Sequence, residues 1–282
     1  MEADCHMHMV LDGEDWRKAV ARHAIKPDIP WIRRVLSQYH DNGITYLRDG
    51  GDRWGVGAAA RELASEYGIT YKTPLAPLHK EGNYGGFIGE AWHDLKEYAI
   101  LVRRIRERGG DFVKIMISGL MDFDRFGVLR PSPLSNLEIC ELIHIAHEEG
   151  FRVMAHCNGA RVAETAAMAG VDSIEHGAYL DEDAMIAMKE NGTVWVPTLS
   201  TIGNLRHQGR FDEASVEKIL DTAIENVAYF GSIGGLLAPG TDAGAWSVPH
   251  GIQSEYPLLQ EALGSKTNEI LLCGINEIKR KF

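Results

Sequence analysis

The chain has 282 residues, 45% of them hydrophobic and 24% charged, and a formal net charge of −11 at pH 7. It is long enough to bury a sizeable core, as one large domain or two ordinary ones. The acidic balance argues against a nucleic-acid surface. No apolar run reaches the roughly 18 residues of a membrane span, and the start lacks the basic-then-apolar pattern of a signal peptide.

Eight short apolar segments, most followed by a helical pattern, predict eight strands. The first is Ala3 to Met9. Helices are predicted from Asp15 to His23 and from Ile29 to Asp41, the second stopping at Asn42-Gly43. Ile44 to Leu47 is the second strand, closed by Asp49-Gly50-Gly51, and a helix from Gly57 to Tyr67 follows. Ile69 to Leu75 is the third strand, with a glycine-rich loop behind it through Gly82, Gly85, Gly86 and Gly89. A long amphipathic helix then runs to Arg108, and its arginines 103, 104, 106 and 108 read as a solvated face.

Phe112 to Ser118 is the fourth strand, and its loop continues to Pro133. Ser135 and Glu138 have the spacing of a capping box. Strands five to seven are Phe151 to Cys157, Val171 to Glu175 and Thr193 to Leu199. A helix from Glu213 to Phe230 precedes strand eight, Leu236 to Pro239, and a last helical stretch is broken near Gly264 and Gly274.

Strands alternating with helices predict parallel pairing through right-handed crossovers. Eight such units in one domain, residues 1–282, fit an α/β fold of the (β/α)8 TIM-barrel type. An open doubly wound sheet is the competitor. A barrel gathers residues from many strand ends at its C-terminal mouth, which an open sheet does not.

The strand ends carry the chemistry. His6 and His8, two apart on an extended segment, point to one side and can clamp a metal ion. On the fourth strand, alternation puts Lys114, Met116 and Ser118 on one face, opposite Val113, Ile115 and Ile117. An ammonium facing a barrel interior must change protonation or find a partner. Carbamylation by carbon dioxide would turn it into a bridging carboxylate; the alternative is a structural or substrate-binding lysine with its charge paired. His156 and His176 end strands five and six and suit zinc-like ions as neutral imidazoles. Singly, either could be a hydrogen-bonded core histidine. Asp242, in Gly240-Thr241-Asp242-Ala243-Gly244, can ligate metal and accept a proton, or simply form an Asx-turn.

This set of an HxH pair, a strand lysine, two single histidines and a late aspartate resembles the amidohydrolase superfamily of metal-dependent hydrolases. The runs Asp111-Phe112-Val113-Lys114-Ile115-Met116, Ser173-Ile174-Glu175-His176-Gly177, Val196-Pro197-Thr198-Leu199 and Gly240 to Gly244 are similar to its imidazolonepropionase- and prolidase-related branch. The resemblance implies hydrolysis of a small-molecule C–N amide bond in a dipeptide, N-acyl amino acid or cyclic amide. It implies two divalent metal ions, expected to be Zn2+, one held by His6 and His8 and the other by His156 and His176. N6-carboxylysine at Lys114 would bridge them. Asp242 would be both ligand and general base towards a metal-bridging hydroxide. Relatives often carry a β-sandwich flanking the barrel; with three residues before Asp4 and a short helical tail, that domain is expected to be missing or vestigial.

Substrate contacts are expected from the loops after strands three, four and eight, where His79, Tyr84, Arg125 and His250 have useful chemistry. Arg125 could hold a carboxylate in a fork of hydrogen bonds. The polar run from Asn204 to Gln208, with His207, is a further candidate. Gly55-Val56-Gly57 lacks the acidic residue of a dinucleotide site, and His144 with His147 reads as a solvated helix face. Cys5, Cys140, Cys157 and Cys273 show no disulfide framework, so a reducing, cytoplasmic setting is expected. The expected partners are a small-molecule substrate and possible further copies of the chain, with no nucleic acid and no membrane. Two other readings keep the barrel: a non-catalytic, metal-stabilised binding or scaffold protein, and an isomerase or decarboxylase on the same metal site.

Overall fold

Acidic and hydroxyl caps start most of the helices, and short buried strands separate them. The structure, a computed structural model, describes residues 2–251 and 253–282. Strand β1 (Ala3–Met7) leads to α1 (Trp16–Arg22) and α2 (Ile29–Asp41), whose first-turn N–H groups are accepted by Asp15 and Asp28. Then come β2 (Tyr46–Asp49), α3 (Val56–Ala64) and β3 (Thr70–Lys72). The glycine-rich stretch predicted as loop holds two strands, β4 (Leu78–Lys80) and β5 (Glu90–Trp92), before α4 (Leu95–Glu107).

Strand β6 (Val113–Met116) is followed by a small antiparallel hairpin, β7 (Leu120–Met121) with β8 (Leu129–Arg130). Helix α5 (Asn136–Glu148) opens on the predicted capping box of Ser135 and Glu138. The remainder is β9 (Val153–Cys157), α6 (Ala160–Met168), β10 (Ser173–His176), α7 (Glu182–Glu190), β11 (Val194–Val196), α8 (Ser200–Gly203), α9 (Glu213–Ser232), β12 (Leu236–Leu237), α10 (Glu255–Leu263) and α11 (Thr267–Lys281). Among the described residues no helix is long and apolar enough to cross a membrane.

The architecture is mixed α/β with mostly parallel pairing. Seven strands run β12-β11-β10-β9-β6-β4-β5, and β1-β2-β3 form a second parallel sheet. Register places Met116 beside His156, and His156 beside Glu175. Backbone bonds also join β1 to the segment after β12: Cys5 N donates to Pro239 O at 2.8 Å and Asp242 N to His6 O at 2.7 Å.

Alternation divides each strand between helices and interior. Val113 and Ile115 of β6, and Val153, Ala155 and Cys157 of β9, pack with the helices in the largest hydrophobic cluster. Their neighbours Lys114, Met116 and His156 line a cavity instead. At the other side of the sheets α11 closes the structure, with Phe282 edge-on to Phe112 at 5.2 Å between centroids. Gly274 makes that approach possible, since a Cβ there would overlap the Leu237 carbonyl. Truncating a wholly buried side chain such as Ile174 to alanine would cost about 2–5 kcal/mol.

Candidate metal centre and active site

Three side chains converge where β1 ends. His6 Nε2 and His8 Nε2 are 3.3 Å apart, and Asp242 Oδ1 lies 3.4 Å from the first and 3.2 Å from the second. The bonds Asp242 N to His6 O and His8 N to Ala243 O, both 2.7 Å, hold the two segments in register, so the convergence is built into the backbone. Asp4 ties the same loop down, accepting from Thr241 N at 2.9 Å and Thr241 Oγ1 at 2.5 Å.

The tautomer of His6 follows from its partner. Its Nδ1 lies 2.7 Å from Glu175 Oε2, and Glu175 Oε1 is bonded by Arg48 Nη2 at 2.8 Å and by Ser173 Oγ at 2.6 Å. A carboxylate held by a guanidinium only accepts, so Nδ1 carries the proton and Nε2 keeps its lone pair. Arg48 is itself wholly buried, donating also to Cys5 O and Ser173 Oγ. This ionic group satisfies its members with hydrogen bonds, the condition under which buried charge is tolerated.

The rest of the histidine set gathers alongside. The His176 ring centroid is 4.9 Å from that of His6 and 4.6 Å from that of His156. His176 Nδ1 sits 2.8 Å from Thr198 Oγ1, and His156 Nε2 lies 3.2 Å from Gly119 O. Burial, and then the Lys114 ammonium, hold His6 well below its ordinary pKa, and the same causes push His156 down to about 3. Burial, and then His156, hold His176 well below as well. These imidazoles are neutral and able to donate lone pairs. His176, Thr198 and Asp242 all adopt left-handed backbone angles, with φ of 67°, 50° and 55°. For a β-branched threonine this is real strain, of the kind that clusters at functional sites.

Lys114 is 1% exposed, and among the described residues its Nζ has no hydrogen-bond partner. Burial pushes it down to about 8, with Glu175 and Asp242 acting the other way. Asp242 Oδ1 also finds no hydrogen-bond partner among the described residues. An acceptor-only oxygen therefore faces the lone pair of His6 Nε2. A bound cation supplies the positive partner this arrangement lacks, so the residues present fit the metal that the sequence resemblance implies.

All six predicted metal-site residues border one cavity of about 600 Å3, and Tyr84 borders it too, its ring 4.7 Å from that of His156. The other three predicted substrate contacts are placed elsewhere. His79 is buried beneath the glycine-rich segment: a Cβ on Gly85 would come within 2.8 Å of the His79 Cβ. His250 is packed among Trp31 and Tyr39, bonding Tyr39 Oη at 3.2 Å and Leu11 O at 2.9 Å. Arg125 is exposed on the tight β7–β8 turn, where its N–H closes onto Asp122 O. His207 is exposed as well, its N–H bonded to Glu213.

Sequence reasoning passed over Glu175, Arg48, Thr198 and Arg210. An arginine and a glutamate at inward positions of apolar strands were the available signal for the first two. Arg210 lines the cavity mouth from a loop that has no periodic pattern.

No family model matches the chain. It is 27% identical over 281 residues to the ochratoxinase of Aspergillus niger, an alignment covering 85% of this chain and 56% of that protein. It is 34% identical over 136 residues to an uncharacterized protein of Mycobacterium tuberculosis, covering 46% of this chain and 36% of the other. The chain thus spans about half, or less, of the length of the curated relatives it matches. Among solved structures, a prolidase complexed with N-methylphosphonate-L-proline superposes with a TM-score of 0.76 at 22% identity, covering 99% of this chain and 74% of that one. At 19% to 22% identity, a prolidase, an ochratoxinase and an amidohydrolase are thus among the solved structures whose fold this chain shares.

Proposed function

We propose that this chain is a metal-dependent amidohydrolase that cleaves a C–N amide bond in a small molecule. The observation that carries the reading is the meeting of His6 Nε2, His8 Nε2 and Asp242 Oδ1 on the floor of a cavity that Lys114 also lines. The sheets are inferred to close into a (β/α)8 barrel, supported by the β1 bonds to Pro239 and Asp242 and by the parallel run from β12 to β4. That closure accounts for side chains from five strand ends sharing one floor.

His6, His8 and Asp242 would hold one divalent ion, expected to be zinc, and His156 with His176 a second. Lys114, its pKa brought down to about 8 by burial so that the free amine is within reach near neutral pH, would add to carbon dioxide through nitrogen, lose a proton and offer the resulting carbamate as a ligand. Such ions supply Lewis-acid polarisation of the scissile carbonyl and acidify water at neutral pH. The protein does the remainder. Glu175 holds the His6 ring in the tautomer that leaves Nε2 free. Asp242 takes the proton from the attacking water and passes it to the departing amine nitrogen, so one amide and one water become an acid and an amine. Tyr84 stays protonated, its pKa raised by burial and by the Asp242 charge, and its ring walls off one side of the reacting centre.

Protein supplied with zinc or manganese and bicarbonate should bind close to two metal equivalents. It should release amine from at least one member of a panel of dipeptides, N-acyl amino acids and cyclic amides. Metal-loaded protein inert across that panel, and unaffected by Asp242→Asn except in stability, would leave the binding or scaffold reading. Products formed without net addition of water would point instead to the isomerase or decarboxylase reading.

A further inference from the structure

One carbonyl at the foot of the β7–β8 hairpin collects three donors. Gly119 O accepts from Asn158 Nδ2 at 3.0 Å, lies 3.2 Å from His156 Nε2, and takes a longer bond from Ser118 Oγ at 3.3 Å. The orientation of the Asn158 amide is fixed by a partner that can only donate. Ala178 N bonds its Oδ1 at 2.9 Å, so the other end is the NH2 group. Asn158 N donates in turn to Ser118 Oγ at 2.8 Å. The residue is wholly buried, and its N–H and both ends of its amide tie the loop after β9 to the loops after β6 and β10.

His156 Nε2 lies nearer to Gly119 O than to Asn158 Nδ2, which is 3.4 Å away and already has the oxygen as its acceptor. A carbonyl oxygen only accepts, so His156 presents Nε2–H to it and keeps the ring's lone pair on Nδ1. An imidazole held at one nitrogen by a fixed acceptor is oriented for a metal at the other. The acceptor here belongs to the hairpin that walls the cavity with Leu120, Met121, Asp122 and Phe123. Gly119 cannot shift by itself, since even a Cβ there would come within 2.2 Å of the Arg130 carbonyl carbon and the Pro131 oxygen. The far end of the hairpin rests on other loops, with Phe123 against Phe211 and Phe126 against Tyr179.

We infer that Asn158 is a positioning residue that couples this hairpin to the metal centre. Its amide pins Gly119 O, and Gly119 O sets the His156 ring. A substrate pressing on the hairpin wall thereby acts on a ligand of the second ion. Asn158 takes no part in bond cleavage. The coupling to zinc rests on the metal-dependent reading above, whereas the hold on the hairpin and on the imidazole does not.

Two variants separate the bonds. Asn158→Asp keeps an acceptor for Ala178 N and loses the donor to Gly119 O, and Asn158→Leu loses both without adding charge. In metal-free protein, hydrogen exchange of the amides between Leu120 and Arg130 should quicken in both variants by at least about tenfold more than that of α4 and α9. Nitrogen-15 spectra of the histidine rings should show His156 as the Nε2–H tautomer in the wild type, a preference that both variants lose. In a zinc titration, one of two equivalents should weaken about 10–100-fold and the other less than about threefold. A wild-type His156 protonated on Nδ1 would overturn the inference without any variant. So would hairpin exchange that only tracks the helices, or equal weakening of both zinc equivalents. A loosened hairpin and a lost tautomer preference in a protein that takes up no zinc would keep Asn158 as the hold on His156 and sink the metal reading.

Discussion

Glu175 Oε2 lies 2.7 Å from His6 Nδ1, and neither side chain is exposed to solvent. The pair couples the floor of the proposed metal site to a second buried charge, Arg48, which reaches the opposite carboxylate oxygen. A histidine with a fixed tautomer is a better ligand than a free one, and losing such a partner typically weakens metal binding about 10–100-fold. Glu175→Gln should therefore reduce zinc affinity on that scale in a competition titration. It should also destabilise the fold by about 3–5 kcal/mol, because Arg48 is left uncompensated. Adding Arg48→Met should recover much of the stability and little of the zinc affinity. Recovery of both together would show that Glu175 acts only through folding.

Gly50 offers a way to displace one proposed ligand while sparing the fold. It follows β2, and a Cβ built on it would overlap the His8 ring. That ring can turn away, because its Nδ1 has no hydrogen-bond partner among the described residues. Gly50→Ala should therefore lower metal content and activity by an order of magnitude or more, with a stability change of about 1 kcal/mol or less in the metal-free protein. Gly240→Ala is the contrast. Its Cβ would press within 2.9 Å of the His6 backbone nitrogen, which cannot move alone, so folding should suffer as well. Metal analysis and chemical denaturation of the two variants separate these outcomes.

Glu255, at the start of α10, accepts from Leu199 N at 3.1 Å, Ser200 N at 2.7 Å and Ser200 Oγ at 2.7 Å, all buried. It anchors the chain just after Thr198, whose hydroxyl orients His176. Glu255→Ala strands two backbone donors and should cost about 2–4 kcal/mol. As a positioning residue it should also lower kcat with little change in KM, through the His176 ring. An unchanged kcat in the folded fraction would reduce Glu255 to a purely structural role.

How much of this was legible in the sequence depended on periodicity. Lys114 and His156 stood out because a polar residue on the inner face of an apolar strand breaks a pattern the rest of the strand obeys. The helix caps at Asp15, Asp28 and Ser135 were readable for the same local reason. Strands β4 and β5 were not, since three residues each inside a glycine-rich run become strands only by pairing with a partner far away, β4 with β6. Arg125 and Arg210 show the limit most sharply. Both lie in loops without periodic signal, and only the tertiary path puts the second at the cavity mouth while sending the first to solvent.

Lys114 yields the prediction with the most definite sign. In metal-free protein without bicarbonate, its folded pKa is pushed down to about 8 by burial, against 10.5 for the ordinary amine. Between those pH values the unfolded chain keeps a proton that the folded chain has released, so this residue makes stability rise with pH across the window. Below it, the cost of burying the ammonium is present in full, about 3 kcal/mol for a shift of this size. Tyr46 and Cys5 work in the opposite direction, because burial raises both and the unfolded chain ionises first. The quantity to measure is therefore the difference between wild type and Lys114→Met, followed by urea denaturation from pH 7 to 10.5. The apo variant should be the more stable at pH 7, with its advantage shrinking towards pH 10.5. Zinc and bicarbonate should reverse the order, because methionine can form no carbamate and the wild type alone gains the bridging ligand. A difference that is flat with pH would mean that the ammonium has a partner in the fold, and would remove the physical reason for its carboxylation.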